Sequence, residues 1–130
     1  MRYYMSGDIE LSKEIPEEEI MDSYGCMFGG IFERNGKYFY ELDYDEYFVD
    51  ELEDEINALC RYAQENGITL KGSIEGECDG KQGGYFFNGN GYEEFWGNAY
   101  HIHQMLDEKQ LIEELIDELK KRGYTVTKNG

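Results

Sequence analysis

The sequence predicts an α+β domain: two layers, a largely antiparallel sheet with two main helices on one face. Three observations lead there. Residues 3–11 and 68–78 alternate apolar and polar side chains, the period of a half-buried strand. Residues 48–63 and 102–119 instead place apolar side chains at helical spacing. The pairs Asn35-Gly36 and Asp79-Gly80, which favour tight turns between strands, sit beside strand-like runs.

In the first strand Tyr3, Met5, Gly7, Ile9 and Leu11 share one face, and Tyr4, Ser6, Asp8 and Glu10 the other. "IPEEEIM" then predicts a short helical turn, with Pro16 at its first position and three acids near the positive end of the dipole. "GGIFERNGKYFYEL" predicts a hairpin turning at Asn35-Gly36, whose second strand keeps Tyr38, Tyr40 and Leu42 together. A long helix follows, with Phe48, Val49, Leu52, Ile56, Leu59, Cys60 and Ala63 as its apolar stripe, Asp43 with Glu46 as its cap and Gly67 as its stop. Ile68, Leu70, Ile74 and Cys78 point inward from the next strand. "GGYFFN" and "YEEFW" are further strands joined by the turn "NGNG". The second main helix carries Ile102, Met105, Leu106, Leu111, Ile112, Leu115, Ile116 and Leu119, with Asp107 and Gln110 as a cap and "KKRG" as its end. "YTVT" closes the chain as a last strand.

With 130 residues, one proline and no polar linker, the chain reads as a single domain, 1–130. Its halves, 1–66 and 67–130, resemble each other weakly. "YMSGDIEL" and "TLKGSIEGE" share Gly, one residue, Ile, Glu, and "ENGITL" answers "KRGYTV". A duplicated strand-strand-strand-helix unit with a closing strand accounts for that order.

Net charge is −17, which opposes direct binding to nucleic acid or anionic membranes and favours basic partners. The acidity belongs mostly to the first half, where 18 acidic and 5 basic side chains leave −13. Cys26, Cys60 and Cys78 are odd in number and unpaired in spacing, not a disulfide framework. The first residues lack the apolar segment of a signal peptide, and no run is long enough to span a bilayer. A cytoplasmic protein is expected.

No stretch carries a signature of chemistry. His101 and His103 in "HIH" face one way on a strand but about 200° apart on a helix, and a zinc site needs two more ligands. Cys60 and Cys78 fall on apolar faces, as core thiols do. "DYDEYFVDELED" begins like a calcium loop but has Phe48 where glycine is required. Glu94 stands where a phosphate-cradling glycine loop needs its third glycine. No metal or cofactor is expected, and no enzymatic activity.

The outstanding feature is residues 40–56, "YELDYDEYFVDELEDEI", with nine carboxylates and no Lys or Arg. On a helical wheel Tyr47, Asp50, Glu51, Asp54 and Glu65 lie opposite Ile56, with only Arg61 among them. A face evolved for solubility alone would intersperse lysines at i, i+4. The expected partner-binding surface is therefore an anionic ridge of Asp43, Asp45, Glu46, Tyr47, Asp50, Glu51, Asp54 and Glu55, with Tyr44 and Tyr47 as aromatic anchors. Such a ridge would occupy the groove in which a basic nuclease or CRISPR effector holds nucleic acid. In size, acidity and lack of motifs the chain resembles, in type only, the anti-CRISPR and anti-restriction inhibitors of phages and mobile elements. An immunity protein against a toxin nuclease uses the same physics. A metal-dependent enzyme built on "HIH" and a plain assembly module, with a homodimer through the tyrosine-rich sheet face, are the other expectations.

Overall fold

The computed structural model describes residues 2–24, 29–105, 112–124 and 127–129. Among them are seven strands and four helices: β1 (Tyr3–Leu11), α1 (Glu17–Tyr24), β2 (Gly29–Arg34), β3 (Lys37–Glu46), α2 (Asp50–Asn66), β4 (Leu70–Cys78), β5 (Lys81–Gly89), β6 (Tyr92–Trp96), α3 (Asn98–Met105), α4 (Ile112–Lys121) and β7 (Thr127–Asn129). The strands form one sheet in the order β2-β3-β1-β4-β5-β6-β7, each neighbouring pair antiparallel. The α+β class and the antiparallel sheet are as the pattern predicts.

The turns follow from their residues. Asn35 and Gly36 both take positive φ, 54° and 78°, and Asp79 and Gly80 take 49° and 80°. Each pair closes a two-residue hairpin whose twist suits the flanking strands. Gly67 ends α2 in the left-handed conformation, and its N–H bonds the carbonyl of Ala63. Pro16 sits one residue before α1 instead of inside it, and its carbonyl accepts from the N–H groups of Glu19 and Ile20.

β3 and β4 run in the same direction with β1 between them, so α2 crosses over β1. The crossing buries Leu52, Ile56, Leu59, Cys60 and Ala63 of α2 against Met5, Ile9 and Leu11 of β1, Tyr40, Leu42 and Tyr44 of β3, and Leu70 and Ile74 of β4. Ile15, Ile20, Tyr85, Phe87 and Tyr92 belong to the same core.

Instead of joining α1 and α2 on one face, α3 and α4 take the other. Phe86 and Phe95 form a second core with Ala99 of α3 and with Leu115, Ile116 and Leu119 of α4. Phe86 lies between Tyr85 and Phe87, which belong to the first core, and successive strand residues point to opposite faces. α2 already holds the first face beyond β4, through Tyr92 Oη donating to Asn57 Oδ1 at 3.2 Å and Gln64 Nε2 donating to the Asn90 carbonyl at 3.2 Å. The chain leaving β6 reverses at Gly97, φ 62°, and packs where Phe86 and Phe95 remain uncovered.

The two central strands meet through glycine. A Cβ on Gly7 would stand 2.1 Å from the Ser73 carbonyl oxygen, one on Gly72 2.7 Å from that of Asp8, and one on Gly76 1.7 Å from that of Tyr4. Gly7 and Gly72 are the glycines of the two similar motifs, which thus lie side by side and antiparallel at the sheet centre. The connections of the two halves differ: β1 pairs with β3, whereas β4 pairs with β5.

Other expectations are corrected here. β3 runs on through Glu46, so Asp43 and Glu46 are strand residues and cap nothing; Val49 is the N-cap of α2 and makes no side-chain cap bond. Phe48 is 75% exposed, outside the apolar stripe. The second main helix is represented by α3 and α4, and the last described strand begins at Thr127, later than the expected 124–127. Leu106, Asp107, Gln110, Leu111 and Cys26 lie outside the described residues.

Two stability outcomes follow. Gly76→Ala forces β1 and β4 apart and should lower the unfolding free energy by about 3 kcal/mol, read from urea titration by circular dichroism. Glu55, 3% exposed, accepts a 2.6 Å hydrogen bond from Tyr40 Oη. Glu55→Ala should destabilise by about 1–3 kcal/mol, and Tyr40→Phe with Glu55→Leu should recover part of that loss in the same titration.

Candidate functional site

The residues expected to form one anionic ridge are divided among three exposed places and one buried one. On β3, Tyr40, Leu42 and Tyr44 are buried under α2, so Asp43 and Asp45 project from the opposite face of the sheet. Asp50, Glu51 and Asp54 are exposed on α2, on the first face. Glu46 and Tyr47 are exposed at the junction between them. Glu55 is no surface residue at all: it lies beneath α2, bonded to Tyr40, and cannot meet a partner. Tyr44 is likewise buried, with its hydroxyl donating to the Phe48 carbonyl, so it anchors the chain internally.

The β3 acids belong to a larger surface that the sequence reading missed. On the second face of β1 and β3, Tyr4 stands opposite Asp45, Ser6 opposite Asp43, Asp8 opposite Glu41 and Glu10 opposite Phe39. On the other side of β1, Tyr4 pairs with Glu77. Tyr4, Ser6, Asp8, Glu41, Asp43, Asp45 and Glu77 are all exposed. Asp8 and Glu41 put like charges directly across a ladder, an arrangement that destabilises a strand pair. Three cations relieve part of the field: Arg2 on Asp45 at 2.8 Å, Arg34 on Asp8 at 3.6 Å and Lys37 on Glu10 at 3.4 Å. Among the described residues Glu41 and Asp43 form no ion pair. The missed signal was the alternation Tyr38, Tyr40, Leu42, Tyr44, which continues the strand two residues beyond Leu42.

Negative charge also gathers on the first face. Glu53 of α2 has its carboxyl pKa raised, by burial first and then by the charges of Glu94, Asp50 and Asp54. Glu94 accepts a 2.6 Å hydrogen bond from Trp96 Nε1. Burial, reinforced by Glu53 and Glu94, pushes the Tyr92 hydroxyl up to about 12 and raises that of Tyr85 further.

The "HIH" segment is helical, within α3, so its two rings diverge. His101 is exposed. His103 packs 3.8 Å, centroid to centroid, from Phe86 and stacks on Phe95 at 5.4 Å. Burial lowers its pKa, against a smaller opposing effect of Glu75. Glu75 of β4 fixes α3 to the sheet, accepting from Ser73 Oγ at 2.9 Å, Tyr100 Oη at 3.0 Å and Gln104 Nε2 at 2.9 Å. No group of three or more His, Cys, Asp and Glu among the described residues is placed to hold a metal ion. Cys60 and Cys78 are buried free thiols, and burial pushes that of Cys60 up to about 12. No helix among the described residues is long and apolar enough to cross a membrane.

Comparison with protein-family models, with curated proteins and with solved structures returns no match.

The field around Glu53 has a measurable consequence. A carboxyl whose folded pKa is raised favours the fold while protonated, below its ordinary value of 4.5, and loses that contribution as pH rises through the folded value. Glu53→Gln, which does not titrate, should therefore melt at a higher temperature than the wild type at pH 7. The difference should shrink as pH falls through the carboxylate range, as read by calorimetry.

Proposed function

We propose that the protein is a non-enzymatic inhibitor that occupies the nucleic-acid groove of a basic nuclease by charge mimicry, an anti-defence protein of the anti-CRISPR or anti-restriction kind. The observation that carries this reading is the row Glu41, Asp43, Asp45 on an exposed strand, with Asp8 beside it. Side chains on one face of a strand repeat about every 6.8 Å. That is one carboxylate for every two phosphates of a DNA strand, whose axial rise is about 3.4 Å. The row is held on an interior strand of the sheet, paired on both sides by β2 and β1, so it presents fixed charge instead of a flexible acidic tail. Asp50, Glu51 and Asp54 add to the field that steers a basic partner, and Glu46 and Tyr47 lie between the two surfaces.

Affinity capture from the native host's lysate, read by mass spectrometry, tests this with three baits checked for folding. Wild type should recover a basic nucleic-acid-processing enzyme, release it at moderate salt and inhibit its cleavage of nucleic acid. Glu41→Lys with Asp43→Lys should lose that enzyme. Asp50→Lys, Glu51→Lys and Asp54→Lys together should slow its association. Recovery that is equal with all three baits, or without any basic enzyme, would overturn the proposal.

A further inference from the structure

At one end of the anionic sheet face the chain already binds a guanidinium, its own. Arg2, which precedes β1, donates from Nε to Asp45 Oδ1 at 2.8 Å and from a terminal nitrogen to Asp45 Oδ2 at 3.3 Å. Its other terminal nitrogen donates to Tyr47 Oη at 3.0 Å. Its Cζ lies 5.3 Å from the ring centroid of Tyr4 and 4.9 Å from that of Tyr47. Two aromatic rings and a bidentate carboxylate are the elements by which proteins select arginine over lysine, because only the planar fork can both stack and bond in pairs.

The arrangement is unusual for a structural contact. Tyr4 is 52% exposed and Tyr47 59%, and the Arg2 and Asp45 side chains keep 42% and 48% of their surface. An ion pair so open to water contributes little to stability. Three elements, the start of β1, the end of β3 and the junction leading to α2, nonetheless converge on one guanidinium. The surrounding charge is of the right sign for a cationic visitor, with Glu46, Asp50, Glu51 and Glu77 exposed on the elements that carry the clamp or flank it.

We propose that Tyr4, Asp45 and Tyr47 form a clamp for an arginine side chain of a basic partner protein, and that Arg2 fills it in the partner's absence. The proposal rests on the partner-binding reading above and refines it. Charge alone treats lysine and arginine alike, whereas the clamp selects arginine, the residue that basic grooves use to fork onto phosphate. Arg2 is then an internal competitor, displaced when the partner docks.

Fluorescence anisotropy with labelled deca-arginine and deca-lysine peptides at one salt concentration tests this without a known partner. Wild type should bind deca-arginine more tightly by about two- to fivefold, the size of one exposed cation–π contact. Arg2→Ala should widen the ratio; its change in net charge acts on both peptides and leaves the ratio to report the vacated clamp. A preference that emerges only in Arg2→Ala supports the clamp equally. Tyr4→Ala with Tyr47→Ala, both outside the core, should abolish the preference and leave deca-lysine binding unchanged, with far-UV circular dichroism confirming the fold. Equal affinity for the two peptides in wild type and in Arg2→Ala would remove the clamp and leave the charge-mimic reading standing. No binding of either peptide would remove both.

Discussion

The sheet depends on how closely β1 and β4 approach. Gly7, Gly72 and Gly76 face carbonyl oxygens of the neighbouring strand at distances that no Cβ tolerates. That contact joins the strands of the first half to those of the second, since β1 and β4 are the only link between β2-β3-β1 and β4-β5-β6-β7 in the sheet order. The placement of α2 and of the exposed acids follows from it. α2 spans the joint on one face, and the row of carboxylates stands beside it on the other.

The charge on this protein is organised against its own stability. Asp8 opposes Glu41, and Glu53 titrates high because of burial and because Glu94, Asp50 and Asp54 surround it. A large core on each face of the sheet offsets that repulsion. The acids are held in place by packing that pays no regard to their charge: Tyr40, Leu42 and Tyr44 go under α2, and Glu41, Asp43 and Asp45, which alternate with them, have nowhere to point but outward.

Much of the fold is legible in the sequence. Period-two alternation marks β1 and β4, Asn35-Gly36 and Asp79-Gly80 mark two hairpins, and Gly67 marks the end of α2. The start of α2 misleads because Phe48 and Leu52 are four residues apart, a helical spacing, although Phe48 lies in the chain before the helix and is exposed. The division of the helices between two faces was readable in Tyr85-Phe86-Phe87, since three successive aromatics cannot all face one core. Glu55 was not readable. Its neighbours in sequence are acids on the surface, and only the Tyr40 hydroxyl, reached through tertiary packing, makes an interior place for a carboxylate. The candidate surface was therefore half legible: the acids were found, but Asp43 and Asp45 share a face set by the strand, while Asp50, Glu51 and Asp54 stand on α2 on the other face.

The Tyr44 hydroxyl has an effect at a distance from its own ring. By donating to the Phe48 carbonyl it ties the junction between β3 and α2 to the core, directly beneath the most exposed large apolar side chain of the described residues. Phe48 is thus carried on backbone already ordered before anything touches it. A surface that covers this ring gains the burial of an aromatic and gives up little chain entropy in doing so, the condition under which a small contact area yields a long-lived complex.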